Sequence, residues 1–351
     1  MAIKQIFVLK ETRTDESRVA LTPTEVTLLA AKKFQLFVES NAGSQAGFKD
    51  LDYANAGAEI FSITPRGFLP DSLILRVKRA HQAQEHFEST LFGKNTTVIG
   101  FLDPLDPSIK NGYDHIAPWQ KAGVTALALE LMKFPPNDPR DAQAAMSRIA
   151  GRLALKSAIK HYLGPHPIRV TVMGTGPAGL SAALEAKKQG ASVQLFGRKE
   201  HLRKFLEEAG ITYHILPEGI HPAKLIQSYL SQETIVITAA RTVGSKSPLL
   251  IDEAGLEVLP EKAVVVDLAA GEGGNVAGSK SDHIVTTKKG VMIINVSGYP
   301  KEEPHEASQA YAKCMFNLLS DLLTENGEIV VEHPLFSQGW VTHQGKRNPL
   351  Y

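Results

Sequence analysis

The sequence predicts an α/β protein of two doubly wound parallel-sheet domains, the second a Rossmann dinucleotide-binding domain, with a cleft between them. Three observations carry this. A chain of 351 residues exceeds what one core of ordinary size organises. Short apolar runs alternate with helix-patterned segments in two separate blocks. Within the second block, Gly174, Gly176 and Gly179 sit between an apolar run and a helical stretch, at the spacing of a phosphate-cradling loop.

The first block opens with "IFVL" (6–9). A helix over 24–33 follows, its start marked by Thr22-Pro23, a capping-type residue and a proline. The strand candidates "FQLFVE" (34–39), "SLILRV" (72–77), "TTVIGFL" (96–102) and "VTALALEL" (124–131) come next. The proline-rich "KFPPNDPRDAQ" (133–143) reads as an inter-domain crossing, and a long helix over 144–163 ends at "GPHP". The second block offers six strands: "IRVTVM" (168–173), "SVQLF" (192–196), "TYHIL" (212–216), "ETIVITA" (233–239), "KAVVVDLA" (262–269) and "VMIIN" (291–295). Helices are expected over 177–189 and 199–209. A last helix near 305–323 places Tyr311, Met315, Leu318 and Leu322 on one face, with Cys314 as a core residue, and is expected to pack back on the first domain. The expected domains are therefore a discontinuous 1–135 with 305–351, and 136–304.

Composition narrows the function. Hydrophobic residues make up 43% and charged residues 21%, ordinary for a globular chain. A net charge of +1 gives no basis for a nucleic-acid partner or an anionic membrane surface. One cysteine, Cys314, excludes an internal disulfide and a cysteine-rich zinc site and suggests a reducing compartment. The twelve histidines show no metal-ligand spacing, and no metal is expected. The N-terminal stretch does not read as a secretory signal, and no apolar run approaches eighteen residues, so a cytoplasmic protein without direct membrane insertion is expected.

In the loop 174–179, Gly174 permits a tight turn, Gly176 lets a phosphate approach the backbone, and Gly179 allows close packing of helix on strand. Thr175, Pro177 and Ala178 complete it, and the helix N-terminus offers N–H groups to a pyrophosphate. About twenty residues on, where an acidic residue would hold a ribose 2′-hydroxyl, the chain reads Gly197-Arg198-Lys199. Gly197 removes the acidic acceptor and opens space beside the ribose. Arg198 then offers a planar fork to phosphate oxygens and Lys199 a second charge, which favours NADP over NAD. The alternative is that Arg198 starts the next helix in solvent.

Five stretches together resemble the alanine dehydrogenase / pyridine nucleotide transhydrogenase family over nearly the whole chain. They are "KETRTDESRVALTPTEVTLL", "VESNAGSQAGFKDLDYANAGAEI", "TVMGTGPAGLSAALEAKKQGASV", "VVVDLAAGEGGNV" and "SQAYAKCMFNLLSDLL". The last two are most similar to the transhydrogenase alpha subunit. For an alanine dehydrogenase the resemblance implies an arginine and a lysine holding the substrate, matched by Arg18 and Lys78. It also implies an acid–base histidine and an aspartate near the nicotinamide, and those positions are Asp103 and Gly271. Reductive amination needs a group exchanging protons near neutral pH, which an aspartate does only when burial raises its pKa.

For a transhydrogenase the resemblance implies a loop with arginine, glutamine and aspartate that positions the nicotinamide. Arg140, Asp141 and Gln143 supply the residue types in a different order. Ala239, Ala240, Asp267, Leu268, Gly273 and Asn275 are further candidate cofactor contacts. The expectation is an NAD(P)-dependent oxidoreductase of the transhydrogenase alpha-subunit kind. Its partners are a dinucleotide and either a small carboxylate substrate or an NADP-binding or membrane transhydrogenase subunit, with a homodimer as the expected assembly. An amino-acid or keto-acid dehydrogenase and a non-catalytic dinucleotide-binding protein stand as alternatives. Each catalytic candidate also has a plainer role: Arg18 in a surface ion pair, Lys78 in a solvated cluster with Arg76 and Arg79, and Asp103 as a turn-former.

Overall fold

In the computed structural model, which describes residues 2–63, 68, 70–92, 95–106, 109, 111–218, 222–241 and 246–351, each of these apolar runs becomes a strand. The chain divides into two compact units, Met1–Met146 with Lys301–Tyr351, and Ser147–Pro300.

Unit 1 begins with β1 (Gln5–Val8), α1 (Pro23–Ala31), β2 (Gln35–Glu39), α2 (Asp50–Asn55) and β3 (Ala58–Phe61). It continues with β4 (Ser72–Lys78), α3 (Gln82–Leu91), β5 (Thr97–Phe101), α4 (Ala117–Ala122) and β6 (Thr125–Ala128). Pro23 opens α1 as expected, but Thr22 does not cap it through a backbone N–H; its hydroxyl donates instead to the Glu25 carboxylate. β4 is buried at every position except Lys78, as a parallel strand covered on both faces must be. The run 124–131 is a strand only as far as Ala128, after which Leu129–Leu131 turn in a short 3₁₀ step.

The long helix α5 (Ala142–His161) starts two residues before the expected 144, because Asp141 Oδ1 accepts from the Ala144 N–H at 2.8 Å. Unit 2 then runs β7 (Arg169–Met173), α6 (Pro177–Lys188), β8 (Ser192–Gly197), α7 (Arg203–Glu208), β9 (Thr212–Ile215) and α8 (Pro222–Gln227). It is completed by β10 (Ile235–Thr238), α9 (Glu253–Val258), β11 (Val264–Asp267), β12 (Ile284–Thr286) and β13 (Met292–Ile294). Its sheet order is β12-β13-β11-β10-β7-β8-β9. The helix expected over 199–209 is divided into a 3₁₀ turn, Glu200–Leu202, and α7. β12 escaped the sequence reading: it is a three-residue antiparallel edge with no fully buried position.

The chain returns to unit 1 with α10 (Pro304–Leu322), α11 (Pro334–Gly339), β14 (Trp340–His343) and β15 (Lys346–Arg347), giving the order β15-β14-β6-β5-β4-β1-β2-β3. β14 pairs antiparallel with β6, so both sheets are mostly parallel with an antiparallel edge. On α10, Tyr311, Met315, Leu318 and Leu322 are all buried, as is Cys314, and the helix packs on α1. Each such apolar side chain stabilises the fold by about 1.5–3 kcal/mol when removed from water. No helix among the described residues is long and apolar enough to cross a membrane.

In each sheet the chain reverses direction beside its first strand. β1 lies between β2 and β4, and β7 between β8 and β10. Loops leaving the carboxyl ends of such a pair diverge, and the crevice they leave is where α/β sheets bind ligands.

Helix α5 reaches the nucleotide loop through one glycine. A Cβ on Gly151 would lie 1.9 Å from the Ala178 carbonyl oxygen. Gly151→Ala is therefore expected to cost about 1–3 kcal/mol and to lower the melting temperature measurably by thermal denaturation. An unchanged melting temperature would show that α5 does not need this approach.

Candidate functional site

The crevice between β7 and β10 is built by backbone contact. Gly174 has φ +122°, and a Cβ there would lie 2.8 Å from the Ala239 carbonyl oxygen at the end of β10. A Cβ on Gly179 would lie 2.0 Å from the Gly174 carbonyl oxygen, so the first turn of α6 rests directly on the loop. Gly176 is different: its Cβ position has nothing within 4 Å. It faces open space, as a phosphate approach requires. The first N–H groups of α6 carry the partial positive charge that favours an anion there. Among the loop's other members, Thr175 is buried, Ala178 half-buried and Pro177 exposed.

Asp267 and Asn275 shape the opposing wall. Asp267 accepts from the Ala269 N–H (2.9 Å) and the Asn275 N–H (3.0 Å). The Asn275 amide donates to the carbonyls of Ala240 (2.9 Å) and Pro248 (2.7 Å) and accepts from the Ala240 N–H (3.2 Å). Both side chains are fully buried and act on the loops rather than being displayed. Leu268 is tied back by its N–H to Thr238 (2.9 Å), and Gly273 takes a left-handed φ of +96°.

At the end of β8 the expectation for Gly197 needs correction. The volume left by its missing side chain is not open: a Cβ would lie 2.2 Å from Thr175 Cγ2 and 2.9 Å from the Tyr213 hydroxyl. Arg198 and Lys199 beyond it are exposed.

In unit 1, Arg18 and Lys78 meet through a residue the sequence reading passed over. Glu16 accepts from Arg18 Nε (2.6 Å) and Nη2 (2.5 Å), and Lys78 Nζ stands 3.7 Å away. Arg18 is thus in an ion pair, but a buried one. Burial works against Glu16's ionisation, yet its bonds to Arg18 outweigh that and hold its carboxyl below the usual range. Glu16 thus draws two cations together, and Glu11 and Asp15 add further carboxylates within electrostatic reach of Arg18 and Lys78. The solvated cluster suggested for Lys78 does not form, because Arg76 and Arg79 are both buried.

Asp103 lies in a separate network. Its carboxylate is shared by Arg13 (3.1 Å) and Arg79 (3.3 Å), and Arg79 also binds Glu85 and Asp106. A cavity of about 460 Å³ opens here, lined by Arg13, Thr14, Asp15, Arg79, His81, Asp106 and Tyr113 among others. It lies in the β1–β4 crevice, since its lining comes largely from the segments following those strands. Arg140 binds Asp138 in a two-pronged fork (2.8 and 2.5 Å) and also Asp321, while Gln143 is exposed in the first turn of α5.

Two groups that the sequence reading did not single out lie near these, the buried His115 and the half-buried Glu130. His115 donates Nε2–H to the Leu102 carbonyl (3.0 Å), and burial pushes its pKa down. Glu130 accepts from the Asp103 N–H (2.5 Å), and its other oxygen is buried without a partner. Burial, reinforced by the charge of Asp103, lifts its pKa to about 7. Nothing in "LALEL" marks this glutamate, because the strand end that buries it is a tertiary feature.

Two family models match the chain: "Alanine dehydrogenase/PNT, N-terminal domain" over residues 7–150 and "Alanine dehydrogenase/PNT, C-terminal domain" over 142–348. An NAD(P) transhydrogenase alpha-subunit chain of Rickettsia prowazekii is 28% identical, covering 97% of this chain and 95% of that protein. The alanine dehydrogenase of Mycobacterium tuberculosis is 24% identical, covering 97% and 94%. The crystal structure of transhydrogenase from Sinorhizobium meliloti superposes with a TM-score of 0.87 at 26% identity, covering 98% of this chain and all of that one.

The unequal surroundings of the loop glycines can be tested directly. Gly176→Ala should leave the melting temperature in place and weaken dinucleotide binding, whereas Gly179→Ala should lower both; calorimetry with and without dinucleotide separates them. Glu130 offers a second test, since it titrates near 7 when folded and near 4.5 in the unfolded chain. Between these values the folded state holds the extra proton, so the contribution of Glu130 to stability is present below the lower value and lost as pH rises through the upper. Glu130→Gln, uncharged throughout, should gain melting temperature relative to the wild type between about pH 5 and about pH 8. Parallel curves for the two proteins would exclude a raised pKa at this position.

Proposed function

The chain belongs to the alanine dehydrogenase/PNT family, and on that premise we propose that it is an NAD(P)-dependent oxidoreductase of the transhydrogenase alpha-subunit kind. The observation that carries this is the β7–β10 crevice, where Gly174 and Gly179 close the loop and Gly176 leaves room for phosphate. These residues fit a dinucleotide, whose nicotinamide supplies the hydride-carrying carbon when bound. The chain's own residues supply orientation: the loop and the first turn of α6 hold the pyrophosphate, and opposite them Asn275, itself held by Asp267, keeps Ala240 in place while the Ala239 N–H bonds the Met173 carbonyl. In this reading Arg140 stiffens its loop through Asp138 and Asp321, and Gln143, to which the family resemblance gives a part in positioning a nicotinamide, is exposed in the first turn of α5. The hydride is exchanged with a second nicotinamide carried by a partner polypeptide.

A second reading, a dehydrogenase of small amino or keto acids, is supported by the meeting of Arg18 and Lys78 at Glu16. What argues against it is the acid–base machinery. Asp103 is engaged with two guanidinium groups, and Gly271 carries no side chain. A Cβ at Gly271 meets nothing closer than Ser281 Oγ at 4.0 Å, so the backbone there accepts a side chain. L-alanine is therefore expected to give no cofactor reduction above background near neutral pH, and Asp103→His with Gly271→Asp should introduce it. Robust alanine-dependent reduction by the wild type would establish the second reading in place of the first.

For the cofactor itself we propose NADP over NAD, on Arg198 and Lys199 and the lack of any acid at 197. A guanidinium–phosphate contact of about 1.5–3 kcal/mol corresponds to roughly ten- to a hundredfold in affinity. Titration should show NADP binding tighter by that factor and Arg198→Ala erasing the difference; tighter NAD binding by the wild type would reverse the assignment.

A further inference from the structure

The end of β8 contains an arrangement that dinucleotide binding alone does not require. Tyr213, on the neighbouring strand β9, is buried, and its hydroxyl meets both backbone groups of Lys199. It accepts from the Lys199 N–H at 3.1 Å and donates to the Lys199 carbonyl at 3.2 Å. One residue before Arg198, the Gly197 carbonyl accepts from the Leu216 N–H at 2.7 Å. The backbone is therefore pinned on both sides of Arg198.

The charges on this pinned segment are also unusual. Arg198 and Lys199 are exposed and have no ion-pair partner among the described residues. The next cation, Arg203, is committed to Glu200 (2.6 Å) and Glu207 (3.6 Å), and it braces the Tyr213 ring from 5.9 Å. Two adjacent unneutralised cations on an ordered backbone suit a tetrahedral dianion, which takes charge-assisted hydrogen bonds from both. A ribose diol makes no use of them. Ordering this segment beforehand removes conformational entropy that a mobile loop would lose on binding.

We propose that Tyr213 is the positioning residue of a 2′-phosphate site formed by Arg198 and Lys199, and that Thr175 and Tyr213 together close position 197 to the acidic side chain that would select NAD. The inference rests on the NADP reading above. It adds that the preference depends on a hydroxyl that touches no part of the nucleotide.

Calorimetric titration of the full chain with adenosine 2′,5′-bisphosphate and with 5′-AMP isolates the 2′-phosphate. The wild type should prefer the bisphosphate by tenfold or more, and Arg198→Ala should bring the ratio near one. Tyr213→Phe, which keeps the ring, should cut the ratio about threefold to tenfold while leaving 5′-AMP affinity as it was. If Arg198→Ala leaves the ratio unchanged, the NADP reading itself fails. If Arg198→Ala collapses the ratio but Tyr213→Phe preserves it, or weakens both ligands equally, Tyr213 is only structural and the inference is overturned. Gly197→Asp gives an independent arm. It should lower the melting temperature without tightening 5′-AMP, and a Gly197→Asp chain of wild-type stability that binds 5′-AMP more tightly overturns the closed position.

Discussion

Close approach of backbone to backbone is the constraint on which the nucleotide edge of unit 2 depends. At Gly151, Gly174 and Gly179 a single added carbon would sit within 3 Å of a main-chain oxygen. These contacts link α5 to α6, α6 to the loop after β7, and that loop to the end of β10. No side chain can yield at such a contact, because both partners are main chain. The loop is consequently rigid where it meets protein and open only at Gly176. That difference among neighbouring glycines separates packing from binding: three close a structure, and one leaves the backbone clear for an anion to approach.

A second theme is the use of carboxylates to hold backbone at the carboxyl ends of strands. Glu11 accepts from the N–H groups of Val77 (2.6 Å) and Lys78 (3.1 Å), and Glu39 accepts from that of Lys10 (2.8 Å). Glu130 does the same for Asp103, and Asp267 for Ala269 and Asn275. Loops at this edge leave backbone donors without sheet partners, and a buried donor left unpaired is costly. Burial lifts Glu11, like Glu130, to about 7, although the charge of Arg76 and its own backbone donors oppose the shift. The acids that a mechanism could recruit are in large part already occupied with shape.

The family resemblance and the structure bear on different questions. Similarity over nearly the full chain, to transhydrogenase alpha subunits and alanine dehydrogenases alike, places the chain among nicotinamide-dependent oxidoreductases. The resemblance implies a nucleotide loop common to the two branches and different acid–base residues in each, so the environment of a few side chains bears on the choice between them. Asp103 between two arginines, and Arg140 between two aspartates, show that residue type at a motif position does not reveal its engagement.

Apolar runs, the glycine spacing and the amphipathic last helix were legible in the sequence because each is a local pattern. A buried parallel strand must be apolar throughout, and a tight turn onto a helix must carry glycine. β3, β12, β14 and β15 were not legible, since strands of two to four residues at or next to a sheet edge leave little run to read. Glu16 between Arg18 and Lys78, and Glu130 under Asp103, were equally hidden, although Glu16 stands only two residues from its partner. Gly197 is the sharpest case. The sequence determined that no acid stands there; only the tertiary structure decided that Thr175 and Tyr213 fill the place. The reason is general: periodicity and spacing record what a residue requires of its own backbone. What occupies the space beside it depends on strands brought together from distant parts of the chain.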